Sequence, residues 1–309
     1  MTAIRITEVG PRDGLQNEPG FVETAAKARF VDLLSGCGFA EIEVSSFVSP
    51  KWVPQLRDAA ELFASIQRRS GVVYSALVPN ERGLERAIAC GVGKVSVFTA
   101  ASETFSRRNT NASIAESLAR LAPVIEGAHA ARLPVRGYVS CAVACPFEGS
   151  IAPEAVREVA ARLIELGADE LDLGDTIGVA VPDDIDRLLG AVATVRAPEG
   201  TTLHLHDTRG TALACVHRAV QLGVRSFDAS CIGLGGCPYA PGAAGNLATE
   251  DLVYLCERSG LDCGVDAARL YEAGRFIEAA IGREATGRVF RAEGSAAGNE
   301  RRERAAGRG

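Results

Sequence analysis

The sequence predicts an α/β protein built as one (β/α)8 barrel, and three observations predict it. Short apolar runs of strand length alternate with amphipathic segments of helical length along the chain, the pattern of a parallel sheet covered by helices. Eight such strand–helix units can be counted, the number that closes a barrel. The chain has 309 residues, room for the roughly 250 that a barrel needs and a short extension. An open doubly wound sheet is the alternative, but no Gly-x-Gly-x-x-Gly follows the first strand.

The units run as follows. Ile4–Val9 reads as a strand and Thr24–Leu34 as a helix with Ala and Leu on one side. Strand Glu41–Ser46 precedes helix Gln55–Ile66, and strand Val72–Val78 precedes helix Asn80–Ala89, with Asn80 as its cap. Strand Lys94–Thr99 precedes helix Ser113–Ala130, where Ser113 and Glu116 have capping-box spacing. Strand Val135–Ser140 precedes helix Pro153–Leu166, which Pro153 opens and Gly167 stops. Strand Glu170–Leu173 precedes helix Pro182–Val195, and strand Thr202–His206 precedes helix Thr211–Leu222. Strand Ser226–Ser230 closes the series, with a helix starting near Leu247. One more helix, near Ala268–Ile281, forms a short C-terminal extension. From Arg291 the chain is Gly, Ala, Arg and Glu with no apolar period, which reads as a disordered tail. The expected organisation is one domain over residues 1–290 and a tail over 291–309.

Composition excludes some partners. A net charge of −6 gives no general attraction to nucleic acid or to an anionic membrane, and no apolar run approaches the ~20 residues of a membrane span. The opening MTAIRITEVG enters a strand pattern at once, without the marks of a signal or transit segment, so a cytoplasmic protein is expected. Nine scattered cysteines suit a reduced chain in which most are small core residues. Cys141 and Cys145 form a lone C-x3-C pair, too little for a zinc site.

Function in such a barrel collects at the C-terminal ends of the strands. Within the seventh-strand run Thr-Leu-His-Leu-His, two of the four histidines, His204 and His206, leave one face of a strand. They suit a divalent metal, with Asp207 to orient one of them, or a pair satisfied by backbone carbonyls. After the first strand a Gly-Pro turn presents Arg12 and Asp13: an oxyanion donor and an oxygen ligand, or an ordinary ion pair in a turn. Glu43, between Ile42 and Val44, needs a partner for its charge, a structural arginine or a reacting group. The sixth strand carries Asp172 and Asp175 near its mouth. The eighth leads into a glycine-rich loop from Gly233 to Asn246, a composition that suits a mobile lid. That loop presents Cys237, which has little core to fill, and ends in Asn246, a further oxygen ligand or the cap of the next helix. Asp, His, His and Asn, with no thiolate, favour Mg²⁺ or Mn²⁺ over structural zinc.

Six blocks of the chain, in order, resemble the 3-hydroxy-3-methylglutaryl-CoA (HMG-CoA) lyase family of the DRE-TIM metallolyase superfamily. They are EVGPRDGLQNE (Glu8–Glu18), SSFVSPKWVPQ (Ser45–Gln55), RGYVSCA (Arg136–Ala142), GDTIGV (Gly174–Val179), HLHDT (His204–Thr208) and GLGGCPYAPGAAGNLATEDLVY (Gly233–Tyr254). The resemblance implies a TIM barrel and cleavage of HMG-CoA to acetyl-CoA and acetoacetate. It implies Asp13, His204, His206 and Asn246 as ligands of Mg²⁺ or Mn²⁺ and Arg12 as the enolate-stabilising residue. It implies Glu43, Asp175, His204 and Cys237 as further catalytic groups, with Cys237 the lid thiol that helps protonate the enolate. Gln16, Ser46, Lys51 and Asp172 are the expected substrate contacts, and a homodimer acting on an acyl-CoA is the expected assembly.

The chain departs from the family in two places. Asp172 stands where the family often has Ser before Leu-Gly-Asp-Thr, which bears on the acyl group accepted; citramalyl-CoA is the alternative substrate. Arg209 stands where many relatives have Tyr. A Claisen condensing synthase would carry His-x-His-Asn-Asp and a long C-terminal domain, neither of which is seen here. A barrel that binds CoA or metal without catalysis is the non-enzyme alternative. Arg12, Glu43, His204, His206 and Cys237 standing together speak against it.

Overall fold

The computed structural model describes residues 3–236 and 245–293. Eight parallel strands close into a barrel: β1 (Arg5–Glu8), β2 (Glu41–Ser46), β3 (Val73–Leu77), β4 (Lys94–Ala100), β5 (Val135–Ser140), β6 (Glu170–Asp175), β7 (Thr201–Leu205) and β8 (Ser226–Ala229). Each strand pairs with its neighbour in sequence, and β1 closes on β8 with Arg5 opposite Ser226. The expected TIM barrel is thus borne out.

Strand alternation sorts the side chains into two environments. On β2, β5 and β6 the residues Ile42, Val44, Val135, Val139, Leu171 and Leu173 are buried in the apolar core that joins the sheet to the helices. The alternate positions Glu41, Glu43, Arg136, Tyr138, Glu170 and Asp172 carry the polar groups that meet inside the barrel. Such a polar interior survives only if its charges are paired. Arg136, fully buried, donates to Glu41 (3.2 Å), Glu170 (3.1 Å), Asp228 (3.0 Å) and the Thr7 hydroxyl (3.0 Å). Lys94 bridges Glu41 and Glu170 at 2.7 Å each.

The helices follow the sequence reading closely. They are α1 (Thr24–Ser35), α2 (Ala59–Ser65), α3 (Glu81–Ala89), α4 (Glu103–Thr110), α5 (Ile114–Ala130), α6 (Pro153–Glu165), α7 (Pro182–Val192), α8 (Ala212–Gln221), α9 (Thr249–Arg258) and α10 (Ala267–Ile281). Asn80 caps α3 by accepting from the Gly83 amide, and Ser113 with Glu116 closes the expected capping box. The run read as one helix from Gln55 breaks at Asp58, whose carboxylate is held by buried Lys27 (2.7 Å) and Thr24 (2.8 Å). Helix α4 is an element beyond the expected set. Its eight polar-rich residues carry little apolar period, but Ser102 caps it by accepting from the Phe105 amide. After α10 the chain is helical again over 288–293. The expected tail beyond 293 lies outside the described residues. Among those described, no helix is long and apolar enough to cross a membrane.

Candidate active site

One wide helical turn, Gly10–Gly14, follows β1 and places Arg12 and Asp13 over the barrel mouth. The Val9 carbonyl accepts the amides of Arg12 (3.1 Å), Asp13 (2.8 Å) and Gly14 (3.3 Å), a widened turn of the kind found at functional sites. Glycine is required at both ends. A Cβ on Gly10 would lie 2.6 Å from a Glu8 oxygen, and one on Gly14 would lie 2.6 Å from the Cβ of Leu234.

Three strands and the segment after the glycine-rich loop complete the site. Arg12 is buried and donates Nε–H to Glu43 and Nη1–H to Asp13. Its guanidinium lies 5.8 Å from the centre of the Tyr138 ring on β5. Beside Glu43 the pairing of β2 with β3 slips by one residue between Glu43 and Ser45, a bulge of the kind that re-aims a side chain next to an active site. From β7 come His204 and then His206, their ring centres 5.3 Å apart. The segment after the glycine-rich loop returns beside β7, with Asn246 bridged to His206 and the Asp207 amide donating to Gly245 (2.7 Å). These residues open on a cavity of about 690 Å³ that includes Arg12, Asp13, Gln16, Ser46, Tyr138, His204 and His206. Trp52, 80% exposed, marks its rim, and Arg108 and Arg120 also line it.

The donor set fits a divalent cation. Asp13, His204 and His206 each offer one ligand atom, and these atoms lie within 4.8 Å of one another. Two buried acceptors beside them, His206 Nδ1 and Asn246 Oδ1, have no hydrogen-bond partner among the described residues. Orphaned buried acceptors are costly unless a ligand meets them. Asn246 turns its amide nitrogen away, to Asp13 (2.8 Å) and the Leu234 carbonyl (3.0 Å). It does not cap the next helix, whose N-cap is Ala248. Burial works against the Asp13 carboxylate, yet Arg12 and the two imidazoles hold it well below the usual range. Arg12 stays charged despite its burial because Glu43 and Asp13 flank it.

Several expected residues stand elsewhere. Glu43 accepts from Arg12 and does not line the cavity. Asp172, expected at the substrate, is fully buried off the cavity lining, 3.7 Å from Arg136, and burial raises its carboxyl. Asp175 spends its carboxylate on the amides of Val179 (3.2 Å) and Ala180 (2.8 Å), holding the turn after β6. Lys51 is exposed and does not line the cavity. Asp207 orients neither histidine; it pairs with Arg288 (2.5 Å) and caps the Ala212 amide (3.0 Å). Gln16 and Ser46 do line the cavity, and Gln16 donates to Asp13 (3.3 Å). Gly236 reaches the cavity edge, but Cys237, the expected lid thiol, lies outside the described residues.

Two buried carboxylates hold the root of the glycine-rich loop. Glu8 accepts from the Gly10 amide (2.7 Å), the Cys231 amide (2.9 Å) and the Thr249 hydroxyl (2.7 Å). Glu250 accepts from the Ile232 amide (2.8 Å), whose φ of 54° is strained for a β-branched residue. Burial pushes Glu8 up to about 7. Burial, and behind it the charge of Glu8, pushes Glu250 up to about 8. Both values lie above the ordinary carboxylate range, so the folded chain binds more protons than the unfolded one from about pH 4.5 to about 8. The contribution of these groups to stability therefore falls as pH rises through that window. Glu250→Gln is expected to lose less Tm than the parent between about pH 6 and pH 9; equal slopes in parallel melts would contradict the assignment.

A model of the HMGL-like family matches residues 3–277. The mitochondrial hydroxymethylglutaryl-CoA lyase of Mus musculus is 50% identical over 289 residues, covering 94% of this chain and 89% of that one. The solved hydroxymethylglutaryl-CoA lyase of Pseudomonas aeruginosa superposes with a TM-score of 0.93 at 48% identity, over 95% of this chain and 98% of that one. An HMG-CoA lyase from Acinetobacter baumannii, solved with coenzyme A and 3-methylmalate, gives a TM-score of 0.89 at 38% identity, over 94% of this chain and 95% of that one.

Proposed function

The chain belongs to the HMGL-like family, and from that membership we propose that it is a divalent-metal-dependent carbon–carbon lyase that cleaves HMG-CoA to acetyl-CoA and acetoacetate. The observation that carries the reading is the meeting of Arg12, Asp13, His204 and His206 at one cavity, with unpartnered acceptors on His206 and Asn246 beside them. Asp13, His204, His206 and Asn246 would hold the cation, Mg²⁺ or Mn²⁺ by its donor set, which would supply Lewis acidity toward the substrate's oxygens.

The chain's own groups do the rest. The tertiary hydroxyl gives its proton to Asp13, the C2–C3 bond breaks, and C3 becomes the ketone of acetoacetate. The bonding electrons pass to the thioester, whose enolate oxygen carries the new charge. Arg12 meets that charge: its Nε and Nη1 are held by Glu43 and Asp13, and Nη2 has no partner among the described residues. A donor fixed before the charge forms stabilises the transition state without reorganising. One proton then returns to C2; Cys237 is its donor on the family resemblance, and the proton taken from the hydroxyl replaces it on the thiol. The CoA moiety extends toward the rim, where Trp52, Arg108 and Arg120 stand. The homodimer also rests on the family resemblance.

The test is a lyase assay with HMG-CoA and citramalyl-CoA offered separately in the presence of Mg²⁺. Release of acetoacetate and acetyl-CoA from the first is expected. Turnover of citramalyl-CoA alone would keep the reaction class and change the acyl group. Turnover of neither would remove the lyase reading.

A further inference from the structure

We propose that Asp228 is the positioning residue that commits His204 to metal binding through Nε2, with Arg136 and Tyr138 holding Asp228 for that task. The inference rests on the metal-dependent reading above and adds Asp228, which lies in none of the six sequence blocks.

Strand register sets the contact. Asp228 on β8 stands opposite His204 on β7, and both are inward positions. Asp228 is 2% exposed. Its Oδ1 accepts from Arg136 Nη1 (3.0 Å), and its Oδ2 accepts from the Tyr138 hydroxyl (3.1 Å). The same Oδ2 lies 3.2 Å from His204 Nδ1. The fully buried guanidinium of Arg136 keeps Asp228 ionised, and an ionised carboxylate only accepts hydrogen bonds. The facing nitrogen of His204 must therefore be an N–H, so in the neutral ring that a cation requires Nε2 carries the lone pair. That atom points to the metal set, 3.9 Å from Asp13 Oδ2.

The two histidines are thus unlike. His204 is held from behind by a carboxylate, whereas His206 Nδ1 has no partner among the described residues. A carboxylate behind a ligating imidazole fixes its tautomer and raises its basicity. Tyr138 links this support to the reacting side, since its ring lies edge-on to His204 and beneath Arg12.

Asp228→Asn keeps the shape and changes the hydrogen bonding. The amide turns its oxygen to Arg136 and its NH₂ to His204, so Nδ1 becomes the acceptor and Nε2 takes the proton. The same carboxylate-to-amide exchange inverts the imidazole in serine protease triads. Mn²⁺ affinity, read from free Mn²⁺ by electron paramagnetic resonance, is expected to fall roughly 10–100-fold. In the ¹⁵N-histidine spectrum of the Mg²⁺-loaded parent, the resonance lost in His204→Gln is expected to show protonated Nδ1 and unprotonated Nε2. A mere loosening of the barrel would not invert that tautomer. Parent protein that binds Mn²⁺ while Asp228→Asn binds it equally well overturns the proposal alone. Parent protein that binds no Mn²⁺ overturns the metal reading and the proposal with it. If Asp228→Asn does not fold, the parent spectrum decides, and a protonated Nε2 on His204 refutes the assignment.

Discussion

Arg12→Gln is expected to lower kcat on the order of 10²–10³-fold, with a much smaller change in KM. The asymmetry follows from when the arginine is needed. Its Nε and Nη1 are committed to Glu43 and Asp13 before substrate arrives, so the free edge faces charge that appears only as the C2–C3 bond breaks. An interaction made in the transition state and not in the ground state moves kcat. Glutamine keeps the turn and part of the volume but presents no cation. Glu43 then loses its partner, yet burial already raises its carboxyl, and uptake of a proton spares the barrel a naked charge. The variant should fold and should still bind Mn²⁺. Turnover within about tenfold of the parent, in a variant shown to be folded, would remove Arg12 from the role of enolate stabiliser.

The parts of this site that were legible in the sequence are those that local pattern controls. His204 and His206 share a strand face by period two, and Arg12 and Asp13 share one turn. What escaped depends on register across the barrel. Asp228 reaches His204 only because β8 stands beside β7, and Arg136 reaches Asp228 from β5 across the interior. A signal was present in the run Ser-Phe-Asp-Ala-Ser, where an acidic residue occupies an inward barrel position just as Glu43 does. Asp207 misled for the same reason. Adjacent to His206 in sequence, it leaves the strand on the opposite side and meets Arg288 of the C-terminal extension, 81 residues on. Asp175 ends its strand at the mouth as expected, but Asp172 lies inside the barrel beside Arg136, and a barrel with a charged interior and backbone amides at its turns uses carboxylates for structure too.

Stripping the protein of divalent metal is expected to abolish lyase activity, by roughly 10³-fold or more, while leaving the fold intact. The size follows from the several kcal/mol that a Lewis acid contributes to stabilising transition-state charge. The intact fold follows from where the core lies. The apolar ring between sheet and helices does not involve the ligand set, and three of the ligands keep internal partners, Asp13 with Arg12, His204 with Asp228 and Asn246 with the Leu234 carbonyl. Within the ligand set, His206 Nδ1 and Asn246 Oδ1 are the buried atoms without a partner among the described residues. Restoring Mg²⁺ or Mn²⁺ should return activity and raise Tm, because a ligand bound by the folded state alone stabilises it by about 2.7 kcal/mol at a hundred times Kd. Activity and Tm should rise over the same range of free metal if one site governs both. Full activity in protein whose metal content is shown by mass spectrometry to be negligible would refute the metal-dependent reading. A rise in Tm without recovery of activity would instead point to damage at Arg12 or in the glycine-rich loop, a distinction that the Arg12→Gln variant, inactive but still stabilised by metal, calibrates directly.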